Sequence, residues 1–275
     1  MSDRVTIEIT NGVADVRLNR PDKMNAVDGD MFRALAEAGE SLASDPAVRA
    51  VVLSGEGKAF CAGLDFGSFT AMAESDEPKA DVPVQLDEGR ITHRGQQVAW
   101  CWTDMAAPVI CAITGVALGA GCQIALGADI RFIAPDARMS VLEIRWGLVP
   151  DMTGTQTLMR HVGLDVAKDL TFTGRMVEGP EAVQLGLATH LSDTPFDDAM
   201  SMAREIAQKN PHAVQAAKRL LNDAHHVSVA DGFAAERAEI AALIGSPNQV
   251  EAVNAFFEKR DPVYAAPTQS NETAG

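Results

Sequence analysis

The sequence predicts an α/β fold: a mainly parallel sheet built from strand–helix–strand units, followed by a helical C-terminal third. Three observations carry this. The buried apolar runs Arg49–Ser54 (RAVVLS), Pro108–Ile113 (PVICAI) and Asp129–Ala134 alternate with helical patterns, the arrangement that builds parallel βαβ units. From about Pro195 the strand-like runs stop and capped helical patterns follow one another. With 275 residues, 47% of them hydrophobic, the chain can bury one large core. The expected organisation is an α/β core over 1–194, a helical region over 195–264 and a small polar, flexible tail over 265–275.

Each element has a local reason. Val5–Ile9 and Val13–Leu18 flank Asn11-Gly12, a two-residue hairpin signal. The loop NRPDKMNAVD follows, then a helical pattern from Asp28 to about Ser44. The Arg49–Ser54 strand runs into the glycine-rich loop GEGKAFCAGLDFG. From about Thr70 to Gly89 the chain is acidic and proline-bearing without a period, and reads as a mobile segment or lid. Gly95–Met105 reads as a helix, Gly115–Gly127 as a loop and an apolar helix. In the last third, Thr194-Pro195 opens a helix to about Lys209, and a second covers His212 to about Ala224. Ser228 and Asp231 start a third, ending at Gly245, and Ser246-Pro247 starts a fourth, to about Lys259.

Composition excludes several functions. A net charge of −15 argues against nucleic acid or an anionic membrane as the main partner, because both need a basic face. Cys61, Cys101, Cys111 and Cys122 have no CxxC spacing and sit in apolar contexts, so buried reduced thiols in a cytoplasmic protein are expected. The first ten residues lack the apolar core of a signal peptide, and no apolar run reaches membrane-spanning length. The six histidines show no metal-ligand spacing, so no metal is expected. His225-His226 is placed on a solvated helix face. There is no P-loop, no GxSxG and no HExxH, and Gly119-Ala120-Gly121 lacks the third glycine of a dinucleotide fingerprint.

What remains is chemistry by carboxylates and backbone. Between Met139 and Leu158 only two acids occur, Glu143 and Asp151, in apolar and hydroxylic surroundings apart from Arg145. A carboxylate in such surroundings has a raised pKa and can exchange protons near neutral pH. For Glu143 the competing reading is an ion pair with Arg145 or another cation; for Asp151 it is a turn or helix cap beside Thr153 and Gly154. Trp146 reads as packing. Two glycine-rich loops, Gly55–Gly63 and Gly115–Gly121, each follow a buried strand. Converging on one oxygen they would make an oxyanion hole; apart, they are ordinary strand-to-helix turns.

Seven stretches in order, LNRPDKMNAV, GKAFCAGLDF, ITGVALGAGCQIALGADIRF, LEIRWGLVPDMTGTQTL, TGRMVEGPEAVQLGLATH, PHAVQAAKRLL and EAVNAFFEKRDPV, resemble the crotonase (enoyl-CoA hydratase/isomerase) superfamily. The resemblance runs from about Val5 to Val263 and implies a crotonase-like spiral of ββα units with a helical C-terminal trimerisation region. It also implies homotrimers, often paired into hexamers, and a coenzyme A thioester as substrate, with no further cofactor. By position, the oxyanion donors would be the backbone N–H groups of Leu64 and Ala120. Coenzyme A would be bound by Arg20, Lys23, Ala26 and Lys58, with Lys259 supplied by a neighbouring subunit. Hydratases of the family commonly use two glutamates; here the second is Glu143, but the first position carries Gln123. Asp151 is an added acid, and its pairing with Glu143 resembles dienoyl-CoA isomerases, although those enzymes also carry an acid where Gln123 stands. The expected reaction is therefore a double-bond shift by Glu143 and Asp151, with Gln123 orienting substrate or water. The alternatives are hydration by Glu143 alone, thioester hydrolysis, or non-catalytic binding of a CoA thioester.

Overall fold

The structure, a computed structural model, describes residues 3–65, 67, 86 and 89–267. Asn11 and Gly12 both take positive φ, 52° and 82°, which suits the tightest hairpin turn. They join β1 (Val5–Thr10) to β2 (Val13–Leu18) in antiparallel register, Thr10 opposite Val13. Asp28 caps α1 (Gly29–Ala43), its Oδ1 accepting from the Met31 N–H at 2.8 Å. Strand β3 (Ala50–Gly55) then pairs parallel with β2, and α2 (Arg94–Asp104) leads into β4 (Val109–Ile113), parallel to β3. A short strand β5 (Val116–Leu118) precedes α3 (Ala120–Leu126) and β6 (Ile130–Ile133).

Next come β7 (Arg138–Ser140), α4 (Gly154–His161), α5 (Leu164–Thr173), β8 (Val177–Glu178), α6 (Gly179–Leu185) and β9 (His190–Leu191). The main sheet has the order β1-β2-β3-β4-β6-β9, antiparallel only at the hairpin. A second sheet, β5-β7-β8, is absent from the sequence reading. Its strands are two or three residues long, too short to show a two-residue period.

The helices cover both faces of the main sheet. On one side α1, α2 and α3 enclose the larger core, with Trp102, Phe60, Leu35 and Met31 fully buried. On the other, α7 (Pro195–Ala207) lays Ala199, Ala203 and Ala207 against Ala50, Val52 and Ile110. Small side chains let this helix lie close on the sheet, so the first helix of the 195–264 stretch is packed into the α/β core. The remaining helices are α8 (Pro211–Asp223), α9 (Val229–Leu243) and α10 (Pro247–Glu258). Helix α9 buries none of its residues. Phe233, Ile240, Phe256 and Phe257 are all more than half exposed.

Two expectations differ from what is seen, and a third is not tested. His225 and His226 lie in the turn after α8 rather than on it, with His226 Nε2 2.9 Å from Arg160 Nη2. Ala265, expected in a flexible tail, is held at both backbone groups by the Asn248 amide, at 2.9 and 3.0 Å. The Thr70–Gly89 segment lies outside the described residues except for Leu86 and Gly89. Among the described residues, no helix is long and apolar enough to cross a membrane.

Candidate active site

The two glycine-rich loops are stitched together by backbone pairing and by one residue the sequence reading missed. Asn25 is fully buried in a left-handed conformation, φ 55°. Its Oδ1 accepts from the Arg20 N–H at 2.8 Å, and its Nδ2 donates to the carbonyls of Glu56 (3.0 Å) and Ala59 (2.8 Å). The signal was available, since Asn is the non-glycine residue that best tolerates this backbone region. Isolated bridges Val27–Leu64 and Cys61–Ala117 then hold the Gly55–Gly63 loop beside β5. Gly63 (φ 94°) is obligatory: a Cβ there would sit 2.8 Å from the Leu118 carbonyl oxygen.

This packing brings Leu64 and Ala120 to one cleft, which Leu142, Glu143, Trp146 and Leu148 also line. Gly119 (φ 50°) turns the chain into α3, and its own N–H is used by the Ser140 carbonyl at 2.9 Å. The N–H groups of Leu64 and Ala120 meet no protein acceptor among the described residues. Two backbone donors at the wall of one cleft can receive an oxyanion.

Glu143 opens the 3-10 turn Glu143–Trp146 and is only 9% exposed. Its Oε1 accepts from Gln123 Nε2 at 2.5 Å, while Oε2 is buried without a partner among the described residues. Burial raises its pKa, the nearby charge of Asp151 raises it further, and hydrogen bonds from Gln123 and backbone oppose the shift. Arg145 is exposed, and Glu143 has no cation partner among the described residues, so the ion-pair reading fails. A desolvated carboxylate with one unpaired oxygen is chemically a proton acceptor.

Gln123 is 1% exposed, and both polar atoms of its amide are hydrogen-bonded. Its Oε1 accepts from the N–H groups of Met152 and Gly154, both at 2.9 Å. Those two donors fix the amide's orientation, so its NH₂ must face Glu143. The expectation that Gln123 orients substrate or water is therefore revised. Its oxygen is committed to the turn, and its nitrogen holds the carboxylate of Glu143. Gly154 makes this possible, because a Cβ there would lie 2.5 Å from Gln123 Oε1. Gly154→Ala is expected to destabilise the fold by about 1–3 kcal/mol, read as a lowered unfolding midpoint in urea, and to reduce turnover by loosening Glu143. An unchanged midpoint with full turnover would contradict the brace.

Asp151 is exposed in the turn before α4, outside the cleft lining. It does not cap that helix: Thr153 occupies the cap position (φ 69°), and Gln123 satisfies the neighbouring N–H groups. Trp146, read from sequence as packing, is 46% exposed at the cleft wall.

The expected coenzyme A residues separate. Arg20 is committed to its own chain, with Nη1 2.6 Å from Asp65, 3.0 Å from the Ala26 carbonyl and 3.5 Å from Asp28. It braces the loop rather than presenting a cation. Ala26 is half-buried beside it, and Lys23 and Lys58 are exposed. Lys259 ends α10 in a left-handed conformation (φ 55°) and is not brought to the cleft within this chain. The four cysteines are buried, and burial pushes Cys61 and Cys122 up to about 12, which removes them as nucleophiles.

A family model described as enoyl-CoA hydratase/isomerase matches residues 8–267. The chain belongs to this family. The crotonase fold expected from the seven motifs is the fold observed. Among relatives of this enoyl-CoA hydratase/isomerase family member, mitochondrial methylglutaconyl-CoA hydratase of Mus musculus is 32% identical over 264 residues, covering 94% of this chain and 81% of the relative. Mitochondrial Delta(3,5)-Delta(2,4)-dienoyl-CoA isomerase of Dictyostelium discoideum is 29% identical over 255 residues, covering 92% and 87%. The crystal structure of a Mycobacterium smegmatis enoyl-CoA hydratase superposes with a TM-score of 0.83 at 32% identity, covering 95% of this chain and 99% of that one. The protein is thus a crotonase-superfamily enzyme, with relatives named for both reactions.

Proposed function

We propose that the enzyme moves a double bond along the acyl chain of an unsaturated acyl-CoA. The observation that carries this is the buried Oε2 of Glu143, in the same cleft as the N–H groups of Leu64 and Ala120, all three without a partner among the described residues. Glu143 takes the α-proton, and charge develops on the thioester oxygen, where the two N–H groups stabilise it. The π electrons shift outward, and Asp151, exposed to solvent, relays a proton from water to the far end of the shifted system, while Glu143 gives its proton back to solvent. No atoms are gained or lost. Asp151 is near enough for its charge to act on Glu143. The commitment of Gln123 supports isomerisation over hydration, since no acceptor of that residue is left to hold an attacking water.

Hydration by Glu143 alone is the second reading, favoured by relatives named as hydratases. Products separate the two: a hydrate is heavier by one water, whereas an isomer changes only its ultraviolet spectrum. Asp151→Asn is expected to abolish double-bond migration while α-proton exchange of a saturated acyl-CoA in D₂O persists. Unimpaired migration in that variant would remove Asp151 from the mechanism.

The assembly reading follows from the C-terminal helices. The bare apolar face of α9 and α10 supports a homotrimer, or a dimer of trimers, in which Lys259 reaches a neighbour's coenzyme A.

A further inference from the structure

We infer that the cleft selects acyl groups without a distal charge and rejects those ending in a carboxylate, with Trp146 as a specificity-determining residue. This rests on the acyl-CoA reading above and goes beyond it to the substrate class. The N–H groups of Leu64 and Ala120 and the Glu143 carboxylate fix where the thioester carbonyl and the α-carbon lie. The rest of the wall on the Glu143 side is Leu142, Trp146 and Leu148, with Leu118 behind. The acyl chain therefore runs over leucine and indole surface.

The charges of this wall are of one sign. Glu143 is the only ionisable group lining the cleft among the described residues, and Asp151 adds a second negative charge close enough to perturb it. Arg145, the nearest cation in sequence, is exposed and outside the lining. A terminal carboxylate on a short acyl chain would lose water, meet the Glu143 carboxylate and find no cation among the described lining residues. An unpaired charge in that position is rejected far more strongly than a missing methylene. An uncharged acyl chain meets none of this, and Trp146, 46% exposed at the wall, supplies the surface it covers.

The test compares six-carbon hexenoyl-CoA with its ω-carboxylated counterpart, each offered as α,β and β,γ double-bond isomers. Turnover is the sum of isomer and hydrate, so a failure of the isomerase reading appears as hydrate and leaves the comparison intact. The expected kcat/KM favours the uncharged ester by about 100-fold or more. Trp146→Lys is expected to narrow that ratio at least tenfold by giving the carboxylate a partner, and Trp146→Ala to raise KM for the uncharged ester more than it lowers kcat. Equal or better turnover of the carboxylated ester by the unaltered enzyme would overturn the inference. Should neither ester turn over, calorimetric binding of hexanoyl-CoA and adipoyl-CoA decides in the same way, and equal affinity overturns it.

Discussion

Glu143→Gln is expected to lower turnover by about 10²–10⁴-fold without lowering thermal stability. The loss of rate follows from the unpaired Oε2 facing the cleft, because an amide cannot take an α-proton. The stability result follows from the same burial. In the folded state the pKa of Glu143 is raised, chiefly by desolvation, so the fold binds its proton more tightly than the unfolded chain does. The stability contributed by that proton is complete below the unfolded value of about 4.3 and is lost as pH rises through the raised folded value. At neutral pH the charged carboxylate therefore costs stability, and glutamine removes that cost. The variant's melting temperature should match or exceed that of the unaltered enzyme, with the difference larger at neutral than at acid pH. The acid limb of the kcat/KM profile, which must lie above the ordinary glutamate range, should disappear with the side chain. A wild-type pH profile with its acid limb at or below about 4.3 would contradict the assignment of Glu143 as the base.

Ala120→Pro is expected to lower kcat by about 10²–10³-fold with the fold retained. Ala120 is the first residue of α3, where a backbone N–H has no partner within the helix and proline is well accommodated. The preceding residue is Gly119, which tolerates the restriction that proline places on its neighbour. The substitution thus removes one hydrogen-bond donor at the cleft wall and leaves the helix start in place. Circular dichroism and the urea midpoint check the fold, while kcat reads the donor. If turnover survives in a folded variant, Ala120 is not an oxyanion donor.

The inner strands of the main sheet were legible because they are continuous apolar runs, and the helices after Asp28, Ser228 and Ser246 because those residues cap them. The second sheet was not legible, since strands such as Val177–Glu178 are fixed by tertiary pairing with β7 rather than by their own pattern. At the site, spacing and motif pointed to Glu143, Leu64 and Ala120, which the fold brings to one cleft. The partner of each side chain was hidden. Gln123 reaches 29 and 31 residues along the chain to Met152 and Gly154, and Arg20 spends its guanidinium on Asp65. Both are long-range contacts that no local periodicity encodes. Asn25 shows the intermediate case, where residue type signals a left-handed turn but not the loop it fastens.

Glu143 and the two N–H donors, acting on an unsaturated acyl-CoA, should carry protons along the acyl chain. Incubating a β,γ-unsaturated acyl-CoA with the enzyme in D₂O, with products read by NMR and mass, tests it directly. The predicted product is the α,β-unsaturated ester with deuterium at the carbon remote from the thioester and no added water. A hydroxyacyl product heavier by one water, or migration without deuterium, would contradict it.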